Sequence, residues 1–233
     1  MSERFSRSER LLGKENILKL HKSRVAVFGI GGVGGYVAEA LARAGVGAID
    51  VIDKDVVSET DINRQIYALS STIGKNKTDV ATERIKDISP DCTVTAYKTF
   101  FLPENAEEFD FKVYDYIVDA VDTVAAKLAI AEKAQKENVP VISAMGAGNK
   151  LDPTAFKVSD IYKTSVCPLA KVMRTECKKR GIKKLKVVFS EEKPTDAHTE
   201  NDTRRKAVPA SVSFVPPVMG FVIAGEVIKD LIK

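Results

Sequence analysis

Gly29, Gly31 and Gly34 follow directly on the β-branched run Arg24–Phe28 (RVAVF). They open onto Val33–Ala44, where Val33, Val37, Ala40, Leu41 and Ala44 recur at helical spacing. Few folds accept that order of strand, glycine turn and helix. Glycine suits a tight turn whose backbone N–H groups approach phosphate closely, and the helix N-terminus adds positive potential. Asp53, at the end of a second strand Ala48–Ile52, is placed to accept hydrogen bonds from ribose hydroxyls. With Gly32 beside them, these residues predict an adenine-nucleotide site, although their spacing does not separate a dinucleotide from ATP.

The pattern continues with a helix over Lys77–Ile88, strands over Thr93–Tyr97, Tyr116–Val118 and Val139–Ser143, and an Ala-rich helix over Val124–Asn138. Strands alternating with helices predict an α/β, Rossmann-like doubly wound sheet, mainly parallel, with ligand at the carboxyl edge. Ala155–Val158, Leu185–Phe189 and Ser211–Val215 read as further strands, extending the sheet with antiparallel members in the C-terminal part. A break and a buried helix from about Val218 follow. Ser190–Lys206 has one Ala and otherwise no hydrophobic residue, and reads as a mobile loop.

A chain of 233 residues that is 44% hydrophobic and 29% charged is neither collagen-like nor wholly disordered. Its N-terminus lacks an apolar secretory core, and Cys92, Cys167 and Cys177 form no CxxC pair. A cytoplasmic setting without disulfides or a four-thiolate zinc site is expected. Ala207–Gly225 carries no charge, but Pro209, Pro216 and Pro217 argue against a membrane span. The formal charge of +4 is uneven, because Lys171–Lys186 holds eight basic residues against Glu176 alone.

Cations and acids follow Asp53: Asp55, then Asp61-Ile-Asn63-Arg64-Gln65, then Gly74-Lys75-Asn76-Lys77 at a helix start. Arg64 can fork two phosphate oxygens, and Lys77 can act as a mobile charge near a leaving pyrophosphate. Asp119 and Asp122 end the strand YIVDAVD. A carboxylate there can hold Mg²⁺ against phosphates or cap the next helix.

The runs GIGGVGGYVAEALARAGVG, DKDVVSETDINRQ, GKNK and DAVDTVAAK resemble the ubiquitin-activating-enzyme-like superfamily, and the resemblance covers nearly the whole chain. GAGNKLDPTAFKVSDIYKTSVCPLAKVMR, VVFSEE and PASVSFVPPVMGFVIAGEVIK look like its tRNA threonylcarbamoyladenosine dehydratase branch. The resemblance implies one adenylating domain: an N-terminal arm over 1–22, a nucleotide-binding half over 23–150, and a substrate-facing half over 151–233 containing the loop 190–206. It implies ATP with Mg²⁺ and no zinc: ribose on Asp53, phosphates on Arg64 and Lys77, the metal on Asp122, and Asp55, Asp61 and Gln65 around the nucleotide. It also implies a homodimer in which Arg7 of RFSRSERLLG reaches the partner's ATP, and a sulphur-relay protein as a further partner. One departure stands out. The family usually has Asn where this chain has Asp61, so the acid either joins the metal sphere or turns away.

The implied chemistry is attack of a carboxylate on the α-phosphate of ATP. In the dehydratase branch that carboxylate belongs to threonylcarbamoyladenosine in tRNA, and ring closure then displaces AMP. Lys171, Arg174, Lys178, Lys179, Arg204 and Arg205 are the candidate tRNA contacts, against the alternative of a solvated helix face. Cys167 reads either as a thioester-forming thiol or as a small buried residue at a helix start. Adenylation of the C-terminal glycine of a sulphur-carrier protein is the competing reading. An NAD-dependent oxidoreductase fits Arg64, Lys77 and Asp122 less well.

Overall fold

The computed structural model describes residues 3–195 and 209–233. Two N-terminal helices, α1 (Ser6–Leu12) and α2 (Lys14–Lys22), precede the alternation β1 (Arg24–Phe28), α3 (Gly34–Ala44), β2 (Ala48–Ile52), α4 (Lys77–Ile88), β3 (Thr93–Tyr97), β4 (Tyr116–Asp119), α5 (Val124–Glu137) and β5 (Val141–Ala144). Then come β6 (Phe156–Asp160), α6 (Pro168–Lys179), β7 (Lys186–Ser190) and α7 (Val215–Leu231).

The seven strands form one sheet in the order β3-β2-β1-β4-β5-β7-β6. Every pairing is parallel except the edge pair β6–β7. The order reverses between β1 and β4, and the loops at their carboxyl ends diverge to leave a crevice. Apolar clusters fill both faces: α3 and α7 pack with Val25, Val27 and Val118 on one, and Phe28, Phe101, Phe109 and Phe111 form an aromatic group on the other. The mainly parallel Rossmann-like sheet read from the sequence is present, with its antiparallel member at the C-terminal end.

One element differs. Ser211–Val215 is no strand: the chain runs irregularly to Phe214, and α7 begins at Val215 with Pro216 and Pro217 in its first turn. The first helical N–H groups have no intrahelical acceptor, so prolines cost nothing there and fix φ near the helical value. The pair therefore starts the buried helix instead of interrupting the approach to it. Most of the expected loop 190–206 lies outside the described residues, but Asn149 joins its two flanks. The Asn149 carbonyl accepts from Thr195 N at 2.8 Å, while Asn149 N donates to Ala210 O at 2.8 Å and its Oδ1 accepts from Ala210 N at 2.6 Å. No described helix is long and apolar enough to cross a membrane.

Candidate active site

A cavity of about 420 Å³ opens at the crevice, lined by residues that follow β1 (Gly29, Gly31, Gly32), β2 (Asp53, Asp55) and β4 (Ala120, Val121, Asp122). Asp61, Arg64, Gln65 and Lys77 complete its polar wall. Gly29 has φ +88°, and a Cβ there would sit 2.6 Å from Ala120 O. At Gly34 a Cβ would fall 1.8 Å from Gly29 O, so this glycine lets α3 start against the turn. The fingerprint glycines thus divide the work: Gly29 and Gly34 close the turn, while Gly31 and Gly32 present backbone to the cavity.

Asp53 props this turn, its Oδ2 accepting from Ile30 N at 2.7 Å and its Oδ1 from Asp55 N at 2.8 Å. Burial pushes its carboxyl above the ordinary aspartate value, against the pull of those N–H groups and of Lys77. The remaining lone pairs can accept from a ligand's hydroxyls.

Lys77 begins α4 and is buried, with Nζ 3.4 Å from Asp55 Oδ2 and 3.7 Å from Asp61 Oδ2. Arg64 donates through Nη1 to Thr60 O and to Asn63 Oδ1, both at 2.9 Å, and its Nη2 lies 3.5 Å from Asp61 Oδ1. Asp61 neither turns away nor stands apart from the cations. It is buried, accepts from Ser58 N at 3.1 Å and Gln65 Nε2 at 2.7 Å, and faces both Arg64 and Lys77.

Asp122 is exposed in the cavity wall and makes no hydrogen bond or ion pair among the described residues. The capping role left open for it is not seen: Thr123 is the N-cap of α5, without a side-chain cap bond. No group of three or more His, Cys, Asp or Glu side chains among the described residues is arranged to hold a metal. A hard cation at Asp122 would therefore draw its other ligands from phosphate and water, the habit of Mg²⁺.

Asp119 points away from the cavity into the protein. Fully buried, it accepts from Lys127 Nζ at 3.1 Å through each oxygen, from the Ser143 hydroxyl, and from Val121 N at 3.2 Å, fixing the loop that carries Asp122. Lys127 Nζ also donates to Ala144 O at 2.7 Å.

Arg7 lies outside this cavity, on an exposed helix α1 that buries no residue and leaves Leu11 86% exposed. Among the candidate RNA contacts, Lys171 and Lys178 project from α6 without an ion-pair partner among the described residues. Two do not stand free. Arg174 is only half-exposed because its Nη1 donates to Thr164 O at 2.9 Å, and Lys179 pairs with Glu176 at 2.7 Å. Arg204 and Arg205 lie outside the described residues. Lys183 and Lys184, after α6, are also exposed and unpaired among the described residues. Cys167 is the buried N-cap of α6, packed with Met145, Ala170 and Met173, which suits the small buried residue of the two readings.

Several cavity residues were not among the site residues expected from the sequence: Thr99, Phe100 and Phe101 after β3, Gly148 after β5, and Pro209, Ser211 and Pro216 before and within α7. The first three and Gly148 follow from strand order, since each parallel strand, the edge strand β3 included, delivers its carboxyl end to the same edge of the sheet. The last three arrive through tertiary contacts, including Asn63 Nδ2 donating to Ser211 O at 3.0 Å.

The sequence pattern of the ThiF family matches residues 5–233. The tRNA threonylcarbamoyladenosine dehydratase of Bacillus subtilis (strain 168) is 46% identical over a 244-residue alignment covering 100% of this chain and 96% of that protein. Crystal structures of Escherichia coli tRNA N6-threonylcarbamoyladenosine dehydratase share the fold. The complex with ATP has a TM-score of 0.90 at 34% identity, covering 98% of this chain and 93% of that one. The complex with AMP has a TM-score of 0.89 at 34% identity, covering 98% and 94%. These findings bear out the resemblance read from the sequence.

Proposed function

The chain belongs to the ThiF family, and from that premise we propose that it is an ATP-dependent tRNA threonylcarbamoyladenosine dehydratase whose reaction takes place in the crevice between β1 and β4. The observation that carries the reading is the pairing of Arg64 and buried Lys77 against the glycine turn in one 420 Å³ cavity, a volume suited to a nucleotide.

In this reading Asp53 accepts from the ribose hydroxyls, the N–H groups around Gly31 and Gly32 face the phosphates, and Arg64 and Lys77 carry the charge that builds up as pyrophosphate departs. The threonyl carboxylate attacks the α-phosphate, forming an acyl adenylate. An internal atom of the same threonylcarbamoyl group then attacks the activated carbonyl, a urea N–H gives up its proton, and AMP leaves with one oxygen of the original carboxylate as the ring closes. No protein nucleophile is needed, in keeping with the burial of Cys167. Asp122 is the group suited to hold Mg²⁺, which when bound would screen phosphate charge. The arm carrying Arg7 is proposed to reach the site of a second copy in a homodimer, a role suited to a helix that fully buries no residue on its own chain and leaves Leu11 86% exposed. Lys171 and Lys178 are proposed to touch tRNA phosphates.

ATP–pyrophosphate exchange by the purified protein tests the assignment. Exchange should require tRNA bearing threonylcarbamoyladenosine. Exchange dependent instead on a sulphur-carrier protein would overturn it.

A further inference from the structure

The cavity holds more acid than its proposed ligand favours. Asp53, Asp55, Asp61 and Asp122 line it against only Arg64 and Lys77, so its charged groups sum to −2. Asp61 is the most committed of the four: its side chain is 10% exposed, and its two oxygens lie 3.5 Å from Arg64 Nη2 and 3.7 Å from Lys77 Nζ. The same carboxylate therefore faces both cations assigned to phosphate. Asp55 reaches Lys77 alone and is 55% exposed, where water screens it.

We propose that Asp61 determines the phosphate affinity of the site: it is a built-in counter-ion that offsets part of the charge of Arg64 and Lys77 while the cavity is empty and opposes polyphosphate when it enters. This rests on the nucleotide reading above. Phosphate oxygens must take the two cations from a carboxylate that stays in place, because Ser58 N and Gln65 Nε2 hold it through hydrogen bonds of their own. The repulsion grows with ligand charge, so it weakens ATP and pyrophosphate most, AMP less and adenosine hardly at all. A site built this way sacrifices ground-state affinity for polyphosphate and releases pyrophosphate and AMP readily.

The test is a ligand series against the full chain by titration calorimetry in EDTA: adenosine, AMP, ATP and pyrophosphate. In Asp61→Asn, ATP and pyrophosphate should bind about tenfold tighter, ~1.4 kcal/mol, with a smaller gain for AMP and none for adenosine. Asp61→Ser, neutral but smaller, should give the same ranking. Equal shifts for adenosine and ATP, unchanged or weaker ATP binding, or disagreement between the two neutral variants would overturn the proposal by assigning Asp61 to shape alone. Failure of the unsubstituted protein to bind either adenosine or ATP would instead refute the nucleotide reading, independently of any variant.

Discussion

Replacing Lys77 by Met separates the chemistry of this site from its architecture. The lysine stem is buried, with 8% of the side chain exposed, and methionine fills similar space with an unbranched apolar chain. What disappears is the ammonium. Asp61 keeps Ser58 N, Gln65 Nε2 and Arg64 as partners, and Asp55 is already largely in water, so neither acid is left buried and alone. The structural cost should be about 1 kcal/mol, a lost charged contact at a partly hydrated site. In a domain of this size that lowers Tm by roughly 2–4 °C. The catalytic cost should be far larger. A preorganised charge facing the departing pyrophosphate contributes ~3–4 kcal/mol in the transition state, so kcat should fall by a factor on the order of 10²–10³. Pyrophosphate exchange with the modified tRNA reads the rate, a thermal melt reads the fold, and adenosine binding reports whether the cavity survives. A variant that melts normally, binds adenosine and turns over within about threefold of the parent would refute the role given to Lys77.

Three further outcomes follow from specific contacts. Lys127→Met leaves the Asp119 carboxylate buried without its cation and should cost about 3–5 kcal/mol in urea unfolding; a loss below 1 kcal/mol would show that Ser143 and Val121 N suffice for that charge. Burial alone would raise the Asp230 carboxyl, but hydrogen bonds from Lys186, Lys233 and the Tyr116 hydroxyl outweigh it and hold the carboxyl down at about 2. A depressed carboxylate stabilises the fold above its unfolded value and loses that contribution as pH falls through its folded one. Melts between about pH 4 and pH 2 should therefore show a falling limb of roughly 1–2 kcal/mol after allowance for solvent screening, absent in Asp230→Asn, and an identical limb in both proteins would contradict the assignment. Lys171→Ala with Lys178→Ala should flatten the salt dependence of tRNA binding by roughly one to two units of slope, whereas an unchanged slope would return α6 to the role of a solvated face.

The parallel half of the fold was legible because its signals are local. Alternation of apolar runs with helical spacing marks β1 through β5, and Pro140 explains why β5 begins at Val141, two residues beyond the expected start. Ser211–Val215 was misread because an uncharged apolar run looks alike as a strand or as the entry to a buried helix, and only the surrounding sheet decides. The candidate site divides along the same line. Gly29, Asp53, Arg64, Lys77 and Asp122 lie within motifs that follow strands, and the structure gathers them around one cavity. Pro209, Ser211 and Pro216 reach it through contacts across the fold that no spacing records. Asp61 shows a different limit. Its identity as an unusual acid was readable, and Ser58 and Gln65 hold it through local contacts, but its approach to Lys77 is set by how the chain folds back, so turning away, one of the two roles expected for it, does not describe the arrangement.

The junction at Asn149 ties Thr195 and Ala210 to one residue that follows β5. Asn149 holds φ +57°, a left-handed backbone conformation that asparagine adopts more readily than most residues. Its N–H, its carbonyl and its side-chain oxygen are thereby aimed at two separate stretches of chain. The place of Pro209 and Ser211 in the cavity wall is therefore tied to the backbone conformation of a residue that does not itself line the cavity.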